Sequence, residues 1–142
     1  MVFDILVFSV ILKDDKVLMV KETSKDVEGL LNFPAGHLEK NETLIEGAIR
    51  EIKEETGLEA KIISLVDTQY FSRKEKNYVA FVFQWKLIEN SHSNDNELFF
   101  DFYDIEYLKN NKSILRKEKV IITALNKINT DNNKIIDILD SK

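Results

Sequence analysis

The chain has 142 residues, of which 20 are basic, 25 are acidic and none is cysteine. The lack of cysteine excludes disulfides, thiol catalysis and cysteine-ligated zinc, and the formal charge of −5 gives no general electrostatic reason to bind nucleic acid. This length is typical of one domain with its own hydrophobic core. We therefore expect a single domain over residues 1–142, and the lack of cysteine favours a cytoplasmic location.

The first apolar segment, Val2 to Leu12, is hydrophobic on both of its faces, which predicts a central strand that is covered on both sides. The segment is too short to cross a bilayer and has no basic start, so we expect neither a membrane span nor a signal peptide. After the turn signal KDDK, the residues from Val17 to Val20 are predicted to return as an antiparallel strand. The following LLNFPAGH contains a proline and a glycine and is interpreted as loop more than strand.

The clearest helix is predicted from Thr43 to Thr56. Thr43 followed by Glu46 forms a capping box, and Gly57 stands where a helix-terminating glycine belongs. One face of this helix should pack against the core, because apolar residues recur at helical spacing. These residues are Leu44, Ile45, Ala48, Ile49 and Ile52.

The rest of the chain alternates strand patterns with a second helix, and a polar stretch over residues 89–97 is predicted as a loop. The final KIIDILDSK fits a strand or a helix equally well. Strands on both sides of a helix, with a late second helix, predict a mixed α/β sandwich. The remaining predicted elements are strands over Ala60 to Phe71, Tyr78 to Leu87 and Leu98 to Tyr103, a short helical turn through Leu108, and a helix over Glu118 to Ile128.

The predicted first helix carries three carboxylates, Glu51, Glu54 and Glu55, at positions i, i+3 and i+4, which share one helix face. Like charges at this spacing cost about 0.2–0.5 kcal/mol per pair, and Arg50 offsets part of that cost at i+4 spacing from Glu54. Two interpretations follow from the helix alone. It is either a solvated face rich in a good helix former, or a divalent-cation site, because Mg²⁺ takes oxygen ligands.

The spacing of the residues around this helix distinguishes the two interpretations. The segment GHLEKNETLIEGAIREIKEETGL, residues 36–58, fits the pattern G-x5-E-x7-R-E-U-x-E-E-x-G-U, in which U is a bulky aliphatic residue. Every defined position of this pattern, the Nudix box, is matched. At average residue frequencies the odds of a chance match in such a chain are on the order of 10⁻⁸. The chain therefore resembles the Nudix hydrolase superfamily over essentially its whole length.

This resemblance implies an α/β fold, specifically a Nudix-type α/β/α sandwich with a mixed central sheet. It also implies cleavage of a phosphoanhydride bond by attack of water on phosphorus, with Mg²⁺ (or Mn²⁺) as the cofactor. Arg50 would orient the carboxylates through a salt bridge, and Glu42 would have an auxiliary role. The implied metal ligands are the carboxylates of Glu51, Glu54 and Glu55 and a backbone carbonyl of the Gly36 region.

Residues from two regions of the chain are candidates for the general base. We favour a glutamate of the helix, Glu54 or Glu51, which would accept the proton of the attacking water. The alternative is Glu97, because many relatives carry a further acidic residue in that part of the chain.

Three further parts of the chain contain candidates for contact with the substrate. His37 follows Gly36 directly and either contacts the substrate or is an ordinary loop histidine. Tyr70, like the nearby Phe71 and Tyr78, either stacks on a base or packs in the core, since aromatic stacking tolerates any base. Arg73 either attracts a phosphate or lies in a solvated charged turn.

The stretch NFPAGHLEKNETL resembles the phosphatase branch of the superfamily, which hydrolyses nucleoside tri- and diphosphates and the pyrophosphate of a thiamine pyrimidine precursor. Phe102 stands where that branch often has tryptophan. The expected partner is a small nucleotide or diphosphate, bound by a monomer or homodimer, without nucleic acid or membrane. The alternatives are an oxidised-nucleotide pyrophosphohydrolase, an ADP-ribose pyrophosphatase, and a non-catalytic nucleotide-sensing module, which the complete set of box glutamates disfavours.

Overall fold

The computed structural model describes residues 2–88 and 98–128, and within these ranges the chain forms seven strands and three helices. The strands are β1 (Phe3–Lys13), β2 (Lys16–Lys21), β3 (Leu31–Asn32), β4 (Ala35–His37), β5 (Ala60–Arg73), β6 (Lys76–Leu87) and β7 (Phe100–Asp104). The helices are α1 (Leu44–Thr56), α2 (Ile105–Asn110) and α3 (Glu118–Lys127), and 3-10 turns lie at Lys25–Val27 and Lys112–Ile114. The predicted loop over residues 89–97 and the final KIIDILDSK lie outside the described residues.

The predicted long elements are confirmed, with ends that shift by at most two residues. The loop interpretation of LLNFPAGH is wrong, because this segment forms the two short strands β3 and β4 on either side of Pro34. Strands of two and three residues carry no periodicity, so their sequence gives no sign of them. Proline has no N–H to donate, which ends one strand before the next begins.

The strands form one mixed sheet with the order β3-β2-β1-β6-β5. The central strand β1 runs parallel to β6 and antiparallel to β2 and β4. At the other side of β2, the strand β7 pairs antiparallel with it. The pairing of β1 with β4 brings Gly36 opposite Val7, next to the middle of the sheet.

Helices cover both faces of this sheet, which confirms the predicted α/β/α sandwich. Successive residues of β1 point to opposite faces, so Phe8 packs in the core beneath α3 and Val7 packs in the core beneath α1. Ala48 and Ile52 of α1 are fully buried in this second core, so α1 packs against the sheet through these residues. The predicted central strand, covered on both sides, is confirmed.

The boundaries of α1 follow from its caps. The Glu46 N–H donates to Thr43 Oγ1 over 3.1 Å and the Thr43 N–H donates to Glu46 Oε1 over 2.9 Å, so the predicted capping box is confirmed. Gly57 ends the helix with φ of 72°, a left-handed conformation that favours glycine. One member of the predicted apolar stripe is placed differently: Ile49 is 50% exposed, because the sheet covers only a narrow arc of the helix.

Within residues 2–88 and 98–128, every helix falls short of the length and apolar character that crossing a bilayer requires.

Candidate active site

Arg50 joins the loop before α1 to the acidic face of that helix. Its guanidinium donates to both carboxylate oxygens of Glu42, over 2.6 and 3.1 Å, and to the His37 carbonyl over 3.0 Å. It also donates to Glu51 Oε1 over 2.7 Å and to Glu54 Oε2 over 3.3 Å. The bonds to Arg50 lower the pKa of the Glu42 carboxyl. Arg50 therefore holds carboxylates from two segments of the box in fixed positions.

Glu51 packs directly against the backbone of β4. A Cβ added to Gly36 would collide with the Glu51 carboxylate, so only glycine leaves room for this side chain. The Glu51 side chain is 13% exposed, and burial raises the pKa of its carboxyl, while the bond from Arg50 acts in the opposite direction. The glycine of the box thus permits a close approach between a carboxylate and the sheet.

Glu55 is the most strongly perturbed acid of the helix. Burial raises the pKa of its carboxyl to about 8, although the Ala35 N–H donates to Oε1 over 2.9 Å and favours the ionised form. The negative charges of Glu51, Glu22 and Glu54 raise the pKa further. A carboxylate in this position needs a nearby positive charge to be ionised at neutral pH.

The donor atoms of this region fit a hard divalent cation. Carboxylate and carbonyl oxygens are the ligands that Mg²⁺ prefers, and the raised pKa of Glu55 and the close contact between Gly36 and Glu51 suit a bound cation. Among the described residues, however, no three Asp, Glu or His side chains converge on one point. Arg50 holds Glu51 and Glu54, whereas Glu55 turns to Ala35. A cation would therefore compete with Arg50 for its ligands.

A cavity of about 260 Å³ lies between this acidic region and the end of the β5–β6 hairpin where β5 finishes and β6 begins. Glu55, Gly36 and His37 line one side of it. The other side carries a stacked pair of aromatic rings, Phe71 and Tyr78, with centroids 5.2 Å apart. The remaining lining residues are Leu6, Phe8, Glu22, Asn32, Ala35, Arg73, Arg116 and Lys117.

Tyr70 does not line this cavity, whereas the other predicted candidates for substrate contact do: His37, Phe71, Arg73 and Tyr78. Tyr70 is 60% exposed, and its hydroxyl donates to Asn77 Oδ1 over 3.0 Å. Adjacent residues of a strand point to opposite faces, so Phe71 enters the cavity in place of Tyr70. The alternative base, Glu97, lies outside the described residues.

Sequence reasoning missed four polar residues of the cavity: Glu22, Asn32, Arg116 and Lys117. Arg116 donates to Glu22 Oε2 over 2.9 Å, and Asn32 Nδ2 donates to Glu22 Oε1 over 3.3 Å. The Asn32 side chain is buried, and its Oδ1 has no hydrogen-bond partner within the described residues. Arg116 and Glu22 are 94 residues apart, so no local pattern could indicate the pair.

A mixed sheet between helices, with an acidic loop and helix beside a cavity, defines a Nudix-type domain. Residues 4–122 match the NUDIX domain family, and the chain belongs to that family. The resemblance predicted from the box is confirmed at this level, whereas the phosphatase branch stays a prediction.

Individual relatives agree with this assignment. An ADP-ribose pyrophosphatase from Methanocaldococcus jannaschii is 44% identical over 57 residues, which cover 40% of this chain and 34% of that protein. The phosphatase NudJ from Escherichia coli is 39% identical over 75 residues, which cover 52% of this chain and 48% of that protein. The chain therefore spans about a third to a half of these curated relatives. A NUDIX hydrolase structure from Nitrosomonas europaea has a TM-score of 0.79 and 26% identity, covering 89% of this chain and 88% of that one.

Proposed function

We propose that this protein is a Mg²⁺- or Mn²⁺-dependent hydrolase that cleaves phosphoanhydride bonds of small nucleoside di- or triphosphates or related diphosphates. The observation that carries this proposal is the cavity that has Glu55 and Gly36 on one side and aromatic and cationic side chains on the other. Nudix hydrolases generally use divalent metal ions, and an acidic site without a cation would repel a polyphosphate.

In this proposal, the carboxylates of Glu51, Glu54 and Glu55 and the carbonyl of Gly36 hold the metal. When bound, a divalent cation neutralises phosphate oxygens and makes water a stronger acid. Arg50 positions Glu51 and Glu54 through the bonds of 2.7 and 3.3 Å, so that both carboxylates have defined orientations before the substrate arrives.

Glu54 is the proposed general base. Its side chain is 58% exposed, whereas that of Glu51 is 13% exposed, so Glu54 reaches solvent more readily. It would accept a proton from the attacking water as the new oxygen–phosphorus bond forms and the anhydride bond breaks, with the second phosphate as the leaving group. Glu51 and Glu97 are the alternatives for this role.

The size and lining of the cavity support a small substrate. Its volume of about 260 Å³ is slightly below the usual range of ligand sites, about 300–1,000 Å³, which favours small nucleotides and diphosphates over bulky ones. A second candidate function is ADP-ribose pyrophosphatase, because the relative with 44% identity over 57 residues has that activity in its name.

A substrate panel tests the proposal. Nucleoside di- and triphosphates, their 8-oxo-deoxyguanosine counterparts, thiamine pyrimidine pyrophosphate and ADP-ribose are incubated with Mg²⁺ or with EDTA, and the products are identified. We expect turnover on at least one compound in Mg²⁺ and at least a hundredfold less in EDTA. Release of phosphate, of pyrophosphate or of two monophosphates separates the enzyme classes. Turnover that is absent everywhere or independent of metal contradicts the proposal, and tight binding without turnover supports a nucleotide-sensing module.

A further inference from the structure

Three cationic side chains from two distant parts of the chain meet at the side of the cavity that faces the box. Arg73 is the last residue of β5, and a tight turn with positive φ at Lys74 and Glu75 follows it. Arg116 and Lys117 precede α3, and the Arg116 N–H donates to the Leu31 carbonyl over 2.9 Å. This bond docks the segment on the edge of the sheet and brings both cations to the cavity.

The charges at this position are not balanced. Arg116 pairs with Glu22, but in the described part of the chain no carboxylate lies within 4 Å of the cationic groups of Arg73 or Lys117. Lys117 is instead held over the Phe71 ring, with Nζ 5.2 Å from the centroid. Burial, followed by the charges of Arg116 and Arg73, lowers the pKa of the Lys117 ammonium. Cations gathered in this way repel one another, and a bound anion would relieve the repulsion.

We propose that Arg73, Arg116 and Lys117 form a subsite for a phosphate group of the substrate, across the cavity from the acidic face of α1. This inference rests on the proposed function and specifies where each of two adjacent phosphates of the substrate binds. One phosphate lies at the carboxylates of the helix, and a neighbouring phosphate lies at this cationic subsite. Phosphate fits better than a carboxylate, because it carries up to two charges and three acceptor oxygens for the two cations that have no carboxylate partner.

The subsite also predicts which substrates are selected. Compounds with two adjacent phosphates reach both sides of the cavity, whereas a monophosphate reaches only one. We therefore expect nucleoside di- and triphosphates to bind more tightly than monophosphates with the same base. Phe71 contributes by holding the Lys117 ammonium over its ring, so that this group loses little freedom when the ligand binds.

Binding of inorganic phosphate in EDTA tests the subsite without metal or turnover, because a single phosphate can occupy the cationic side of the cavity without meeting the acidic face of α1. Lys117→Met removes the charge and keeps an unbranched apolar side chain over Phe71. The matched control is Lys112→Met, which removes the same charge from an exposed position outside the cavity. Isothermal titration calorimetry should show binding that is about tenfold weaker for Lys117→Met and unchanged for the control, as expected for a lost charged contact. Arg73→Gln, at an exposed position, should weaken binding in the same direction and provides a second variant.

Kinetics in Mg²⁺ separate this inference from the proposed function. For an active nucleoside triphosphate, Lys117→Met should raise KM about tenfold while kcat changes less than twofold. If the wild-type protein turns over but does not bind inorganic phosphate in EDTA, or if both variants bind it as well as the control does, the subsite is wrong and the hydrolase proposal stands. If binding of inorganic phosphate depends on Lys117 and Arg73 but no compound is hydrolysed, the subsite stands and the hydrolase proposal is wrong.

Discussion

Replacement of Glu55 by glutamine should stabilise the metal-free protein at high pH. Glu55 has a folded-state pKa of about 8 against an ordinary value of 4.5, with burial as the largest cause. Its carboxyl therefore favours folding fully below pH 4.5, and this contribution is lost as the pH rises to about 8. Glutamine has no charge to bury, and its amide oxygen can still accept the Ala35 N–H.

The expected magnitude follows from the pKa of Glu55. The difference between 4.5 and about 8 corresponds to an upper bound of about 5 kcal/mol at about 1.36 kcal/mol per pKa unit. Because side chains and water rearrange around a buried charge, we expect Glu55→Gln to gain about 2–4 kcal/mol of unfolding free energy over the wild type between pH 5 and pH 9. Titrating groups that do not interact with Glu55 are common to both proteins and cancel in the comparison, whereas the interactions of Glu55 with Glu51, Glu22 and Glu54 are part of the expected difference.

Urea unfolding in EDTA, at pH 5, 7 and 9, provides the measurement. Glu54→Gln is the matched control, because this glutamate lies on the same helix face with a side chain that is 58% exposed. The control should follow the pH dependence of the wild type closely. Parallel pH profiles for the wild type and Glu55→Gln would refute the reasoning, since they would mean that Glu55 ionises in the folded protein at no cost.

Two further predictions concern the chemistry of the site. Glu54→Gln should lower kcat at least a hundredfold with an unchanged circular dichroism spectrum, because it removes the proposed base; near-normal turnover would exclude that role. Gly36→Ala should lower kcat/KM at least tenfold and raise the Mg²⁺ concentration needed for half-maximal activity, because the added Cβ displaces the Glu51 carboxylate. The unfolding free energy should change by less than about 1 kcal/mol, since the displaced group is the end of a flexible side chain; a large loss of stability with intact Mg²⁺ dependence would contradict this reading.

Local patterns were sufficient for the parts of the fold that depend on short-range interactions. The caps of α1 need only Thr43, Glu46 and Gly57, which lie within one turn of the helix ends. The double-sided apolar character of β1 indicated its central position, because a strand can be apolar on both faces only if both are covered. Such patterns failed at Ile49. Its helical spacing predicted burial, but the residue lies at the edge of the contact between α1 and the sheet and is 50% exposed.

The sequence by itself determined the family, the helix that carries the carboxylates, and the segment in which Gly36 and Glu51 meet, because the whole box lies within 23 consecutive residues. Only the tertiary structure decided what faces the carboxylates. Because adjacent residues of β5 point to opposite faces of the sheet, Phe71 lines the cavity and Tyr70 does not. Residues 115–116 contact β3, and this contact places Arg116 next to Glu22, which is 94 residues away in the sequence. Periodicity and capping act over a few residues, whereas contacts of this span depend on the path of the entire chain.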